Sequence, residues 1–192
     1  MPLPWRRVCV VAAIVSTTAA AVGSPSLHAS PERQGEQLPR LKILVVHGPN
    51  LNLLGRREPQ IYGTTTLDQI NEHLKNLAKD INLELVTVQS NQEGTLVEAF
   101  QSHMDDVDGA IINAAGLSFS SVSLHDVIKA MPFPVIEVHI SNLGTRDEIH
   151  QRSILTPAVR GSVMGLGWRS YTAALRALAE IVREAKAATR GR

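Results

Sequence analysis

The chain alternates short apolar runs with longer segments in which apolar residues recur every three or four positions. Apolar runs bounded by glycine, proline, asparagine and serine predict β-strands. The predicted strands are KILVVH at 42–47, LELVTVQS at 83–90, GAIINA at 109–114, PVIEVHI at 134–140 and a run near Val159 to Met164. Strands that alternate with helices predict a parallel sheet covered by helices on both faces.

Helices are predicted where apolar residues fall on one face of a helical period. The first has Leu67, Ile70, Leu74, Leu77, Ala78 and Ile81 on its apolar face. Thr66 with Gln69 predicts a capping box at its start, and Thr95 with Glu98 predicts the same start for a second helix. The remaining predicted elements are a helix from Ser121 to Ala130, a short turn from Arg146 to Arg152, and a C-terminal helix with Tyr171, Ala174, Leu175, Leu178, Ile181 and Val182 on one face.

The predicted fold indicates where a ligand would bind. Five parallel strands in one domain of roughly 150 residues favour a flavodoxin-like sheet with strand order 2-1-3-4-5. In such sheets ligands bind beyond the carboxyl ends of the strands, where the order reverses. Polar residues follow three of the predicted strands, as HGPN at 47–50, NAAG at 113–116 and EVHISN at 137–142. The sequence therefore predicts a site at this edge.

The 192 residues, 44% of them hydrophobic and 19% charged, suit one soluble domain plus additional sequence at the N-terminus. Residues 1–29 begin with Arg6 and Arg7, continue through an apolar run and end in small residues, which predicts a secretory signal peptide and export to the periplasm or beyond. A misassigned start, with a cytoplasmic protein, or an uncleaved anchor is the alternative. We expect a flexible lead-in over 30–40, the domain over 41–186 and a basic tail over 187–192.

Composition excludes several classes of function for the domain. Cys9 is the only cysteine and lies in the predicted leader, so the domain has no disulfide, thiolate zinc site or cysteine nucleophile. Removing the leader takes away two arginines and no acidic residue, which leaves the domain close to neutral. Nothing in this charge balance indicates a nucleic-acid partner, and we expect no membrane association once the leader is cleaved.

The loop from His47 to Gly63 carries candidate chemistry. Connections between strands and helices in α/β proteins usually have about 2–6 residues, and this loop is longer, which favours a functional role. A tyrosine normally has a pKa near 10, too high for a base at neutral pH, but Arg57 or Arg56 could stabilise the phenolate of Tyr62. The alternative is a solvated arginine pair beside a packing tyrosine.

Glu137 and His139 are two residues apart on a strand, so their side chains lie on the same face. A carboxylate that accepts from one imidazole nitrogen makes the other suitable as a general acid or base. The alternative is a structural pair; a metal site is disfavoured because no third ligand stands at suitable spacing. A tyrosine base and a histidine acid suit proton abstraction beside a carbonyl with acid-assisted loss of a leaving group. Such chemistry needs no cofactor.

Three motifs closely resemble those of the type II 3-dehydroquinate dehydratases, and the resemblance covers nearly all of Lys42 to Val182. They are GPNLNLLGRREPQIYG at 48–63, INAAG at 112–116 followed by HD at 125–126, and IEVHISN at 136–142. The resemblance implies a flavodoxin-like subunit that assembles into a homododecamer of trimers. It also implies conversion of 3-dehydroquinate to 3-dehydroshikimate by trans elimination of water through an enolate, with no cofactor.

The resemblance implies a role for each catalytic residue. Tyr62 would remove the C2 proton, and Arg57 would hold it as the phenolate. His139 would protonate the departing C1 hydroxyl, with Glu137 orienting it. Asn50 would hold the water that stabilises the enolate.

The resemblance also implies a set of substrate contacts. Asn113 matches a residue that contacts the substrate, and the backbone N–H groups of Ile140 and Ser141 match the site of the substrate carboxylate. Asp126 matches a carboxylate that reaches the site of a neighbouring subunit. Arg146 matches an arginine that follows the SN turn.

Two positions depart from the family pattern. Phe119 stands where the family usually has a histidine, in G-x-T-H-T-S, and His150 stands where it usually has an arginine. Arg152 is the candidate substitute for that arginine. Both lost groups would bind substrate hydroxyls, so we expect a weakened or retuned dehydratase, and the predicted export favours quinate degradation over the shikimate pathway. The alternative function is a binding module for another small hydroxy-carboxylate.

Some polar and aromatic residues have no function that the sequence indicates. His47, His73 and His103 have no visible partner, and we interpret them as structural or solvated. Trp168 and Tyr171 are predicted in the core. Gly165-Leu166-Gly167 lacks the third glycine of a dinucleotide-binding loop, which favours a tight turn over a flavin or nucleotide site.

Overall fold

The structure is a computed structural model that describes residues 39–191. The predicted signal peptide over 1–29, Cys9 within it and the lead-in up to residue 38 lie outside the described residues. Within residues 39–191, no helix combines the length and the apolar composition needed to cross a bilayer.

Parallel strands form a five-stranded sheet in the order β2-β1-β3-β4-β5. The strands are β1 Leu41–His47, β2 Leu83–Gln89, β3 Gly109–Asn113, β4 Val135–His139 and β5 Gly161–Met164. The predicted flavodoxin-like order is confirmed, and every predicted strand is present with small shifts at its ends. The order reverses between β1 and β3, which are hydrogen-bonded neighbours.

Helices connect or flank these strands. They are α1 Pro59–Tyr62, α2 Leu67–Asp80, α3 Glu93–Ser102, α4 Val122–Ala130 and α5 Arg169–Arg190. Single 3₁₀ turns cover Leu143–Thr145 and Glu148–His150, and the second lies within the short turn predicted from Arg146 to Arg152. Because α5 continues to Arg190, most of the predicted basic tail is helical.

The starts of the helices test the capping predictions. The capping box at α2 is confirmed, because Thr66 Oγ1 accepts from the Gln69 N–H and Gln69 Oε1 accepts from the Thr66 N–H. The one predicted from Thr95 is wrong. Helix α3 begins at Glu93, so Thr95 already lies within its first turn. The Thr-x-x-Glu spacing also fits inside a helix, where the threonine N–H and carbonyl take part in the helical ladder.

Strand residues alternate between two apolar layers, one on each face of the sheet. Ile43 and Val45 of β1 pack with the residues of α2 and α5, whereas Leu44 and Val46 pack with those of α3 and α4. This division follows from the two-residue period of a strand. Because both faces are covered, the central strands have continuous apolar sequences rather than alternating ones.

Gly48 lets the loops after β1 and β3 meet at the carboxyl edge of the sheet. Its N–H donates to the carbonyl oxygen of Asn113 at 2.8 Å. A Cβ atom at this position would lie 2.4 Å from the carbonyl oxygen of Ala114, far inside contact distance. A glycine is therefore required here, and it places the residues after β1 beside those after β3.

Candidate active site

A cavity of about 190 Å³ opens beyond the carboxyl ends of β1, β3 and β4. It lies at the edge of the sheet where the sequence predicted a ligand site. Its lining includes Asn50, Arg57, Tyr62, Asn113, Phe119, His139, Ile140, Ser141, Arg146 and His150. The structure therefore brings together residues from widely separated segments that the sequence singled out.

Glu137 lies directly behind His139. The His139 Nε2 atom is 2.9 Å from Glu137 Oε1, and both side chains are buried. A carboxylate only accepts, so Nε2 carries the hydrogen and Nδ1 is the nitrogen left for the cavity. This is the arrangement in which the second imidazole nitrogen can give or take a proton.

Three hydroxyl groups also donate to the Glu137 carboxylate, from Ser153, Thr156 and Ser162. Burial alone would raise the pKa of Glu137, but the hydrogen bonds from His139, Ser153 and Thr156 outweigh it and hold the pKa below the usual 4.5. The carboxylate is therefore ionised at neutral pH and keeps its capacity to accept hydrogen bonds from His139 and the three hydroxyl groups.

This lowered pKa predicts how the stability of the fold depends on pH. A carboxyl whose pKa is lower in the folded state than in the unfolded state stabilises the fold above the unfolded value, and the gain is lost as the pH falls through the folded value. We expect Glu137→Gln to lower the free energy of unfolding at pH 7 by about 1–3 kcal/mol, because hydrogen bonds to the carboxylate are lost. The difference from the wild type should shrink as the pH falls below 4.5.

Urea unfolding at a series of pH values measures this dependence. Glu98→Gln, an exposed glutamate of α3, is the control and should follow the wild type throughout. A difference between Glu137→Gln and the wild type that stays constant as the pH falls would contradict the prediction.

Tyr62 ends helix α1, and its hydroxyl faces Arg146. The Arg146 Nη1 atom donates to Tyr62 Oη at 3.1 Å. The guanidinium of Arg57 lies over the ring instead, 4.8 Å from its centroid, and is paired with Glu58 at 2.8 Å. A cation at hydrogen-bond distance stabilises a phenolate oxygen. In this structure Arg146 is at that distance, whereas Arg57, the residue predicted to hold the phenolate, contacts the ring face.

Two residues within the loop from His47 to Gly63 have a strained backbone conformation. Asn50 has a φ of 64° and Glu58 a φ of 36°, both in the left-handed region that costs non-glycine residues free energy. The Asn50 N–H donates to Asn91 Oδ1 at 2.9 Å, which anchors the backbone at this point. The loop therefore holds a defined conformation in which Asn50 lines the cavity.

The two departures from the family pattern contact each other in the cavity wall. The ring centroids of Phe119 and His150 are 5.1 Å apart in an edge-on arrangement. The Nδ1 atom of His150 is 2.6 Å from Asp147 Oδ1, so that nitrogen is already paired. Arg152 is exposed and lies outside the cavity lining, so it does not take the place of the missing arginine in this conformation.

Asp126 lies apart from the cavity of its own chain. It stands on α4 with its side chain 70% exposed, and His125 Nδ1 is 3.0 Å from its Oδ1 atom. Its predicted role at a neighbouring subunit stays a prediction.

Within residues 39–191, no group of three His, Asp or Glu side chains lies close enough together to hold a metal ion.

The histidines without visible partners in the sequence acquire partners in the fold. His47 is buried between Asn71 and Tyr171, His73 stacks on Trp168 with centroids 4.0 Å apart, and His103 Nδ1 is 2.8 Å from an oxygen of Asp106. No local pattern marks these pairs, since most join different elements. Tyr171 is fully buried as predicted, whereas Trp168 is half-buried.

A family model described as "Dehydroquinase class II" matches residues 41–179. The chain belongs to this family. A 3-dehydroquinate dehydratase of Roseiflexus castenholzii is 46% identical over 135 residues, which cover 70% of this chain and 86% of the relative. One of Geotalea daltonii is 45% identical over 138 residues, covering 72% and 96%.

The fold matches solved structures of the same family. The crystal structure of a type II dehydroquinase from Butyrivibrio crossotus has a TM-score of 0.71 and 34% identity, with 72% of this chain and 97% of that chain covered. The class II dehydroquinase domain thus spans the sheet, its helices and the cavity.

Proposed function

We propose that this class II dehydroquinase converts 3-dehydroquinate to 3-dehydroshikimate by trans elimination of water, without a cofactor. One observation carries the proposal. Tyr62 with its arginine partner and His139 with its carboxylate partner line the same cavity, which supplies a base and an acid for one small substrate. The curated relatives that bear the name 3-dehydroquinate dehydratase support it.

The first step removes a proton beside the ring carbonyl. The Tyr62 phenolate takes the proton from C2, and the electron pair of the C–H bond moves into the C3 carbonyl to give an enolate. Arg146, at 3.1 Å, stabilises the phenolate before the transfer. The amide of Asn50, through a water molecule, would stabilise the enolate oxygen.

The second step expels the hydroxyl. The enolate re-forms the carbonyl, a double bond forms between C1 and C2, and the C1–O bond breaks as His139 donates its proton to the departing oxygen. The Glu137 carboxylate at 2.9 Å stabilises the imidazolium that must exist before this transfer. The products are water and a conjugated enone.

Substrate binding would use the turn that follows β4. The backbone N–H groups of Ile140 and Ser141 are proposed to hold the substrate carboxylate. Ser141 Oγ accepts from Arg146 Nη1 at 3.3 Å, so the same arginine joins the carboxylate site to the tyrosine. This shared arginine supports a small substrate that reaches from the carboxylate site to the Tyr62 hydroxyl.

Purified protein mixed with 3-dehydroquinate tests the function directly. The product absorbs in the ultraviolet because its double bond is conjugated with the carbonyl, whereas the substrate does not. Growth of this absorbance supports the dehydratase. A folded protein that produces no enone at high substrate concentration would favour the alternative, a binding module for another small hydroxy-carboxylate, for which the altered wall at Phe119 and His150 is the supporting observation.

The altered cavity wall at Phe119 and His150 predicts a weak affinity for 3-dehydroquinate. Substituting the residues that the family usually has should strengthen it. We expect Phe119→His with His150→Arg to lower KM for 3-dehydroquinate by about 10- to 150-fold, with a small change in kcat, because each added group can bind a substrate hydroxyl. The effects of the two single substitutions on the binding free energy should not be additive, because the rings of Phe119 and His150 are in contact, with centroids 5.1 Å apart.

Steady-state kinetics of the four proteins in this cycle check the expectation. Arg152→Ala, an exposed residue of the same segment, serves as the control and should leave both constants unchanged. An unchanged KM in the double variant would mean that the wall does not face the substrate hydroxyls.

We also propose that the subunits assemble into a dodecamer of trimers in which Asp126 reaches a neighbouring cavity. The 70% exposure of its side chain in the single subunit leaves it accessible to such a contact. Light scattering on the purified protein measures the mass of the assembly. A monomer that turns over substrate at the full rate would contradict the assembly and the role of Asp126.

Export and a role in quinate degradation are the last part of the proposal, and residues 1–29 support them. Mass spectrometry of the protein from the periplasm of an expressing cell would identify the mature N-terminus. A mature chain that lacks about 20 to 30 residues supports export. An intact Met1 found in the cytoplasm contradicts it.

A further inference from the structure

The Glu137 carboxylate accepts hydrogen bonds at both of its oxygens, and its side chain is completely buried. Oε1 accepts from His139 Nε2 at 2.9 Å and from the hydroxyl of Ser153. Oε2 accepts from Thr156 Oγ1 at 2.8 Å and from Ser162 Oγ at 3.2 Å. An ionised carboxylate has about four lone-pair sites, so these donors use its whole capacity. The hydroxyl set is the name given below to Ser153, Thr156 and Ser162.

The hydroxyl set comes from β5 and from the segment that precedes it. Ser162 is the neighbour of Glu137 in the parallel register of β4 and β5, so the two side chains lie on the same face of the sheet. Ser153 Oγ accepts from the Leu155 N–H at 3.1 Å, and Leu155 is completely buried. The fold itself therefore places these hydroxyls around the carboxylate, without help from a substrate.

Each hydroxyl has a single hydrogen to donate. The Ser153 oxygen also lies 3.2 Å from the carbonyl oxygen of Ser118, but Glu137 Oε1 is nearer and charged, so the hydrogen goes to Glu137. Burial raises the pKa of Glu137, and the hydrogen bonds from His139, Ser153 and Thr156 outweigh that effect. The hydroxyl set thus helps to keep the carboxylate as an acceptor.

We propose that the hydroxyl set consists of positioning residues, which hold the Glu137 carboxylate so that Oε1 keeps the His139 N–H and the imidazole stays at one angle to the substrate. The inference rests on the proposed function, in which His139 donates a proton to the departing hydroxyl. A carboxylate held by the imidazole alone can rotate about its terminal bond, and the ring that donates to it then tilts. Proton transfer requires a short, aligned hydrogen bond, so it depends on this angle.

Thr156→Val in the full-length protein removes one hydroxyl and keeps a branched side chain of similar size. We expect kcat for 3-dehydroquinate to fall about tenfold, with KM within about twofold of the wild type, because a misaligned acid slows proton transfer and leaves the substrate contacts in place. Thr156→Ser keeps the hydroxyl and should keep the wild-type kcat. Thr172→Val is the matched control, because the Thr172 hydroxyl donates to the carbonyl of Arg169 and does not line the cavity.

Glu137→Gln tests whether the hydroxyl acts through the carboxylate. In that background Thr156→Val should not lower kcat further, because the group that it positions is already lost. Effects of the two substitutions that multiply in the double variant would overturn the inference. A wild-type kcat for Thr156→Val would also overturn it, as would a Thr156→Ser protein that is as slow as Thr156→Val.

A second readout does not depend on turnover. The hydrogen on His139 Nε2 lies between two buried side chains, and its ¹H NMR signal is assigned by its absence in His139→Asn. We expect a sharp signal in the wild type and in Thr156→Ser, and a broadened or lost signal in Thr156→Val, because a carboxylate that rotates exposes this hydrogen to exchange with water. An unchanged signal in Thr156→Val would overturn the inference. A signal lost in Thr156→Val, with no turnover of 3-dehydroquinate by the wild type, would count against the proposed function alone.

Discussion

Replacing Tyr62 with phenylalanine is expected to lower kcat for 3-dehydroquinate by about 10²- to 10⁴-fold, the contribution of a well-placed general base. The ring stays in place against the guanidinium of Arg57, 4.8 Å from its centroid. What disappears is the oxygen that Arg146 contacts at 3.1 Å, which is the atom proposed to accept the C2 proton. KM should change little, because the substrate contacts proposed for Asn113 and the turn after β4 remain.

Steady-state kinetics with the enone absorbance measure the loss. Gln60→Ala, an exposed residue of the same short helix that does not line the active-site cavity, is the matched control and should keep the wild-type kcat. A Tyr62→Phe protein with the wild-type kcat would show that another group removes the proton.

Replacing His139 with asparagine is the second large effect, and we expect kcat to fall by about 10²- to 10⁴-fold. Asparagine can still donate a hydrogen bond to Glu137 but cannot release a proton to the departing hydroxyl. The three hydroxyl groups that donate to Glu137 remain, so the carboxylate stays satisfied and the fold should persist. The fall in kcat therefore reports the loss of the acid.

Exchange of the C2 hydrogen separates the two roles. In heavy water, His139→Asn retains the tyrosine base and should exchange a C2 hydrogen of 3-dehydroquinate for deuterium while elimination is slow. Tyr62→Phe should show neither exchange nor elimination. His103→Asn, a histidine paired with Asp106 away from the cavity, controls for the loss of an imidazole. Exchange of the C2 hydrogen in Tyr62→Phe would contradict the role of Tyr62 as the base. No exchange in His139→Asn would contradict the assignment of His139 to the later acid step alone.

Local patterns in the sequence were sufficient for the elements of the fold. The capping box at Thr66 is read correctly because it involves residues three apart and an apolar period follows at once. The same prediction fails at Thr95, because the spacing of Thr95 and Glu98 also fits a position inside a helix. Helix α3 begins two residues before Thr95. The carboxyl edge of the sheet was predictable since the polar residues directly follow buried strands.

The sequence by itself determined the strand order, the edge of the sheet at which the cavity opens and the family, because each depends on residues close together in the chain or on a recognisable motif. Only the tertiary structure decided the partners of the side chains. Arg146 meets Tyr62 across 84 residues and His47 meets Tyr171 across 124, while Phe119 meets His150 in the cavity wall. Such pairs form because the sheet and its helices pack separate segments against one another, and that packing leaves no local pattern in the chain.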